Sequence, residues 1–202
     1  TFFKAIIVLY ISFIENESII IMDHLEAIVE LKNIVSPKFV DKIIPLINYK
    51  AKKNLEVRAG IKKDIRNVKG YHLNFDTPTN LFYWNFIKNE IERLYSFYIS
   101  KFPKLQTDKI NQIDLLKYGP GGKYEVHTDH YSHTTRHVSI IINLNDNYDG
   151  GELVFTDQKE KEIKKLKLSK GSIVFFPSNF MYPHSIQPIT KGTRYSIVAW
   201  LQ

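Results

Sequence analysis

Apolar positions recur at helical spacing through the first half of the chain and in short alternating runs through the second. Between Thr79 and Ser100, Leu81, Phe82, Phe86, Ile87, Ile91, Leu94, Tyr95 and Tyr98 fill one side of a helical repeat. That pattern predicts a long helix, closed by Pro103. Phe39, Ile43, Ile44 and Ile47 repeat the spacing, and Ser36 followed by Pro37 is a helix opening. The stretch Asp23–Val35 is mixed, and Leu55–Lys69 alternates imperfectly up to Gly70, which predicts extended segments of a sheet.

Beyond residue 108 the texture changes to short strands. These are expected at Lys109–Tyr118, Lys123–Thr128, His137–Leu144, Gly151–Phe155, Ile163–Leu168, Ser172–Phe176, His184–Pro188 and Thr193–Leu201. Turns are expected at Gly119–Gly122, Asn145–Gly151, Lys170–Gly171 and Lys191–Gly192. Gly150 and Gly151 read as backbone freedom for a close approach between sheets. Eight strands with such turns suit a sandwich or jelly roll, and helices ahead of them would cover one outer face. The fold class expected is α+β with a double-sheet, jelly-roll core.

Composition narrows the chemistry. The 202 residues are 44% apolar, enough for one sizeable core. The absence of cysteine excludes a disulfide framework, a thiol nucleophile and an iron–sulfur or cysteine–zinc site. A metal would need nitrogen and oxygen ligands. Lys and Arg total 28 against 21 acidic residues, a formal charge of +7 that can attract nucleic acid or another acidic partner. The basic runs do not interleave with aromatics as a base-stacking strip would. Residues Ala5–Ile14 and Ser18–Met22 are apolar, but Glu15, Asn16 and Glu17 break the run, so the signal for a membrane span is not firm. Lys4 is the only basic lead-in and no small-residue cleavage site follows, which favours a soluble intracellular protein.

His127 and Asp129 stand two residues apart, a spacing that puts both on one side of a strand and lets them grip one ion. His184 is the best third ligand from a later strand. Two imidazoles and a carboxylate on one face leave open positions, the arrangement of ferrous oxygenases. The bland alternative is a His127–Asp129 pair beside a satisfied buried His184. Arg194, ten residues beyond His184, could take a small diacid by two parallel charge-assisted bonds. His133 and His137 have a helix-like zinc spacing, but Thr134 and Thr135 disfavour a helix and no glutamate accompanies them. His24 and His72 read as surface or core residues.

These elements together resemble the prolyl 4-hydroxylase-like branch of the ferrous iron and 2-oxoglutarate dependent dioxygenases. The resemblance runs through Leu116–Gly119 and Gly122–Asp129, Arg136–Asn145 and Gly150–Phe155, then Gly171–Pro177, His184 and Gly192–Ile197. It implies a double-stranded β-helix (cupin-like) core with N-terminal supporting helices. The expected organisation is an extension at 1–21 and a dioxygenase domain at 22–202 whose metal-binding core spans about 109–202.

The resemblance also implies site roles. His127, Asp129 and His184 would be the catalytic iron ligands; Arg194 would pair with the distal carboxylate of 2-oxoglutarate, with Tyr118 close by. Relatives often carry a tyrosine where this chain has Asn143, so Ser196 becomes a candidate second donor. Trp200, Arg136 and Tyr124 are candidate substrate contacts, although Tyr124 reads equally well as rim packing and Arg136 as one half of an ion pair. The implied cofactors are Fe(II), 2-oxoglutarate and O2, with ascorbate as reductant. The implied partner is a peptide or protein containing proline, hydroxylated at carbon 4 as in procollagen, with release of succinate and CO2. The alternatives are an oxygenase of nucleic acid or a small molecule, or a non-catalytic jelly-roll binding module.

Overall fold

The computed structural model describes residues 24–56, 60–107 and 109–202; the expected extension at 1–21 lies outside them. A 3₁₀ turn at His24–Ala27 leads into β1 (Val29–Leu31) and α1 (Pro37–Lys50). Then come β2 (Lys53–Asn54), β3 (Arg66–Asn67), β4 (Lys69–Leu73) and α2 (Pro78–Lys101). The following strands are β5 (Ile110–Tyr118), β6 (Lys123–His127), β7 (Val138–Asn143), β8 (Tyr148–Gly150) and β9 (Leu153–Thr156). The last five are β10 (Glu162–Leu166), β11 (Ser172–Pro177), β12 (His184–Ile186), β13 (Ile189–Gly192) and β14 (Arg194–Leu201).

Both helices begin on a hydroxyl cap followed by proline. Ser36 Oγ accepts from the Phe39 amide at 3.2 Å, and Thr77 Oγ1 accepts from the Asn80 amide at 3.1 Å. The buried stripe of α2 is Trp84, Ile87, Ile91, Leu94, Tyr95 and Tyr98. Leu81 and Phe82, expected on that stripe, are 45% and 56% exposed. The stripe continues back to the fully buried Asn80 instead, whose amide donates to Tyr71 Oη and Asn74 Oδ1 at 2.8 Å each.

The strands form a seven-stranded antiparallel sheet in the order β1-β11-β7-β14-β5-β4-β2 and a five-stranded one in the order β10-β9-β12-β6-β3. This is the α+β, double-stranded β-helix arrangement expected. Helices α1 and α2 cover the outer face of the larger sheet, where Ile113, Leu115, Ile140, Ile142, Phe175 and Ile197 join the helix stripes in one core. Each such side chain stabilises the fold by about 1.5–3 kcal/mol through burial. A second apolar cluster, with Leu116, Ile141, Val174, Phe155 and Phe176, lies between the sheets. Among the described residues no helix is long and apolar enough to cross a membrane.

Two expected turns are part of strands. Asn145–Gly151 contains β8 and Lys191–Gly192 ends β13, and the two pair as a separate ribbon. A Cβ on Gly150 would collide with the Pro188 carbonyl, and its φ of +78° suits glycine, so a residue that reads as a turn serves strand pairing. His184 therefore begins the third strand from the end, not the penultimate one. Among the described residues of Leu55–Lys69, β3 holds Arg66 and Asn67, β4 begins at Lys69, and a turn precedes β3.

Candidate metal centre

His127 ends β6, His184 begins β12, and the two are direct cross-strand partners. Asp129 lies just past the end of β6, so strand alternation does not extend to it. It is held from elsewhere: Oδ2 accepts from the buried Ser139 hydroxyl at 2.7 Å, and the next amide, His130 N–H, donates to the Ser178 carbonyl at 3.0 Å. Asp129 Oδ1 stands 3.5 Å from His127 Nε2, and Oδ2 stands 3.5 Å from His184 Nε2. Ligand atoms of all three lie within 4.8 Å of one another. The sequence-derived triad is thus brought together.

The tautomers are set from behind. His127 Nδ1 lies 2.8 Å from the Glu125 carbonyl and His184 Nδ1 lies 3.1 Å from the Tyr182 carbonyl, so each Nδ1 carries the proton. Both Nε2 lone pairs are then free for an ion. Burial and the neighbouring His127 push the His184 imidazole down to about 4, which keeps it neutral and able to ligate. Burial alone would raise the Asp129 carboxyl, but His184, His127 and Ser139 hold it well below the usual carboxylate range. Two neutral imidazoles and a carboxylate fit a divalent ion of the ferrous type.

Tyr124 stacks on His127, with ring centroids 3.6 Å apart and planes at 20°. An odd spacing would put the two on opposite faces of a regular strand. The β6–β12 register shifts between them, with His184 opposite His127 but Ile186 opposite Tyr124, and this bulge turns both rings to one side. Burial pushes the Tyr124 phenol up, so it stays protonated.

Arg194 and Ser196 point between the sheets from β14. Both are buried, and among the described residues Arg194 Nη2 and Ser196 Oγ have no hydrogen-bond partner. Buried polar groups left so are costly, and an acceptor such as a carboxylate would satisfy them. The Arg194 guanidinium lies 5.4 Å from the Tyr118 ring, and burial raises the Tyr118 phenol despite that charge. Asn143 is no donor to this space. Its Nδ2 gives hydrogen bonds to the carbonyls of Asn145 (2.7 Å) and Leu168 (3.0 Å). Its Oδ1 accepts from Arg194 Nε and from the Tyr148 hydroxyl, at 3.1 Å each. Tyr148, in the segment read as a turn, was missed; its aromatic side chain amid turn-forming residues was the available signal.

Among the described residues Arg136 pairs with no Asp or Glu side chain. Its guanidinium lies 3.7 Å over the Trp200 ring, donates to Gln112 Oε1 at 2.9 Å and reaches the Asp129 carbonyl at 3.3 Å. One pocket is lined by the triad together with Tyr118, Tyr124, Arg194 and Trp200.

This geometry defines the class, a two-histidine, one-carboxylate metal seat between the sheets of a double-stranded β-helix, and comparison with known proteins agrees. Residues 113–202 match the 2OG-Fe(II) oxygenase superfamily. That segment is similar to members of the superfamily. A PKHD-type hydroxylase of Synechococcus sp. (strain JA-2-3B'a(2-13)) is 29% identical over 120 residues, 55% of this chain and 50% of that protein. The chain therefore spans about half the length of that relative. A Trichoplax adhaerens prolyl hydroxylase, solved with a hypoxia inducible factor peptide fragment, superposes with a TM-score of 0.72 at 17% identity, covering 89% of this chain and 86% of that one. A Pseudomonas putida prolyl-4-hydroxylase gives 0.71 at 18% identity, covering 89% and 96%.

Proposed function

We propose that the protein is an Fe(II)- and 2-oxoglutarate-dependent dioxygenase that hydroxylates a proline, at carbon 4, in a peptide or protein. The observation that carries this reading is a pocket in which a two-histidine, one-carboxylate set stands beside Arg194, whose Nη2, like Ser196 Oγ, is buried without a partner among the described residues. His127, Asp129 and His184 would hold the iron. When bound, the iron supplies the oxidising chemistry with O2 while 2-oxoglutarate is converted to succinate and CO2.

The chain's own residues bind and orient. Arg194 Nη2 and Ser196 Oγ would receive the distal carboxylate of 2-oxoglutarate, and Asn143, holding Arg194 Nε, limits how that guanidinium can turn. Leu116, Ile141 and Val198 line the middle of the pocket and keep it poor in water, which strengthens each charge interaction there. Trp200, with Arg136 stacked on it, and Tyr124 would form the walls met by the substrate. Residues 22–202 would make up the catalytic domain, with its core at about 109–202. The solved relative bound to a hypoxia inducible factor peptide fragment and the structural likeness to a bacterial prolyl-4-hydroxylase support a peptidyl-proline substrate.

The test is an anaerobic titration with ferrous iron and 2-oxoglutarate, followed by oxygen, ascorbate and a library of proline-containing peptides. Succinate should form in step with one oxygen atom added to proline, at carbon 4 by product mapping. Succinate formed with methylated oligonucleotides and with no peptide would replace the substrate class. No 2-oxoglutarate turnover with iron bound would leave a non-catalytic binding module.

A further inference from the structure

A cleft of about 290 Å³, at the lower end of what small ligands occupy, adjoins the metal pocket, sharing Arg66, Tyr124, Asp129 and Trp200 with it. Such a volume accommodates a single side chain or a small ligand group. Its far wall carries a row of polar side chains with no part in the triad or the Arg194 site. Asp114, in the middle of β5, is 1% exposed, and a buried carboxylate costs several kcal/mol unless it is paired. Its partners are His72 Nδ1 at 2.7 Å and Gln112 Nε2 at 2.8 Å. His72 stands opposite Asp114 across the β4–β5 pairing, and Gln112 stands opposite Trp200 across the β5–β14 pairing. The row thus ends on the Arg136 guanidinium that Gln112 holds against Trp200.

The cleft is lined by two guanidiniums and an imidazole against three carboxylates, of which Asp114 and Asp129 are already bonded to other groups. Arg66 and Arg136 each lie over an aromatic ring, Tyr124 at 4.7 Å and Trp200 at 3.7 Å. Among the described residues neither is paired with a carboxylate side chain, and the Nε of each has no partner. The Asp114 hydrogen bond raises the His72 imidazole, whose side chain is 58% exposed. Glu56 is the one further acid on the lining, because Asp129 faces the two imidazoles and Ser139. Tyr131 completes the lining. A nucleic-acid base finds no open stacking platform on Tyr124, which is stacked with His127 and lies under Arg66.

Resting on the peptide-hydroxylase reading above, we propose that this cleft seats a side chain of the substrate polypeptide flanking the oxidised residue. The His72–Asp114–Gln112 row is its specificity wall, and the side chain it favours is a carboxylate, aspartate or glutamate. The 2.7 Å hydrogen bond from Asp114 favours the charged form of His72 at the cleft and, through Gln112, Asp114 fixes the Arg136 guanidinium. An incoming carboxylate meets donors whose own counter-charge is already bonded elsewhere.

The test uses proline peptides that differ only in carrying Asp, Asn or Lys at each position within three residues of the proline. With iron, 2-oxoglutarate and oxygen, kcat/KM should be about tenfold higher for the Asp peptide than for its Asn twin at one flanking position, the worth of one charge-assisted hydrogen bond. The Lys peptide should be poorest. In His72→Gln that Asp-to-Asn ratio should fall to near one, and in Asp114→Asn, which keeps the shape of the wall, it should be lost at a lower pH than in the native protein. Equal rates for Asp and Asn peptides in the native protein, or a ratio that survives His72→Gln, would overturn the proposal. Binding of the same labelled peptides to the zinc-loaded protein, read by fluorescence anisotropy, separates this proposal from the functional reading. Preferential binding of the Asp peptide supports the cleft assignment even without turnover. Equal binding of all three, or displacement of the Asp peptide by an oligonucleotide but not by unlabelled peptide, overturns it.

Discussion

The two faces of the seven-stranded sheet are built from the same strands and could hardly differ more. Toward the helices β14 presents Tyr195, Ile197, Ala199 and Leu201, and β5 and β7 add Ile113, Leu115, Ile140 and Ile142. Toward the second sheet the same strands present Arg194, Ser196 and Trp200, with Asp114, Tyr118, Ser139 and Asn143 beside them. A period of two residues thus separates an apolar, helix-packed face from one that mixes Leu116, Ile141 and Val174 with the polar groups of the site. Along β14 the inner side also reads as a scale: Arg194 and Trp200 are about 20 Å apart at ~3.3 Å per residue, with the apolar Val198 between them.

The sharpest way to break the contrast is Asp129→Ala. It should abolish turnover, a loss of about a hundredfold or more, and remove tight metal binding while the far-UV circular dichroism stays native. Wild-type turnover in that variant would reject the assigned seat. Next, Leu94→Ala, at a fully buried position of the helix-side core, should cost about 2–5 kcal/mol in urea unfolding, with metal affinity unchanged well below the midpoint. A weakened metal site at equal population of folded protein would show that the two faces are not separable.

Ser139→Ala deletes the hydroxyl bonded to Asp129 Oδ2 and should weaken zinc or iron binding about 10–100-fold by calorimetry. Unchanged affinity would mean that the carboxylate is oriented by its backbone alone. The smallest effect concerns His72, whose imidazole is raised above 6.5 mainly by the Asp114 hydrogen bond. The folded chain binds that proton more tightly than the unfolded one. Its stabilising contribution is therefore complete below pH 6.5 and fades as pH climbs through the raised folded value. Compared with His72→Gln, the native protein should lose urea stability across that interval. Parallel stability–pH curves for the two would dissociate the pair.

Much of this was legible in the chain. The cap at Ser36 and the strand pattern of β5, β7 and β14 are local signals, and the His127-x-Asp129 spacing with His184 and Arg194 marks the site; the cap at Thr77, two residues ahead of the expected start of α2, was not read. What was hidden depends on pairing between distant segments. His72 and Asp114 are 42 residues apart and meet only through β4–β5 register. The β6 bulge that puts Tyr124 on His127 is invisible until β12 lies alongside, and β8 and β13 are short, glycine-bearing runs that local rules assign to turns. Asp129 lies past its strand, so the same-side argument reached the right residue by a route that the fold does not use.

Because His127 and His184 face each other across β6 and β12, the metal seat doubles as a clasp on that pairing. A one-residue slip would swing an imidazole to the opposite side and leave the ion with a broken cage. An ion that binds only the correct alignment therefore draws the population toward it by mass action. Loading with metal during refolding should act as a proofreading step for the smaller sheet, well before any substrate is met.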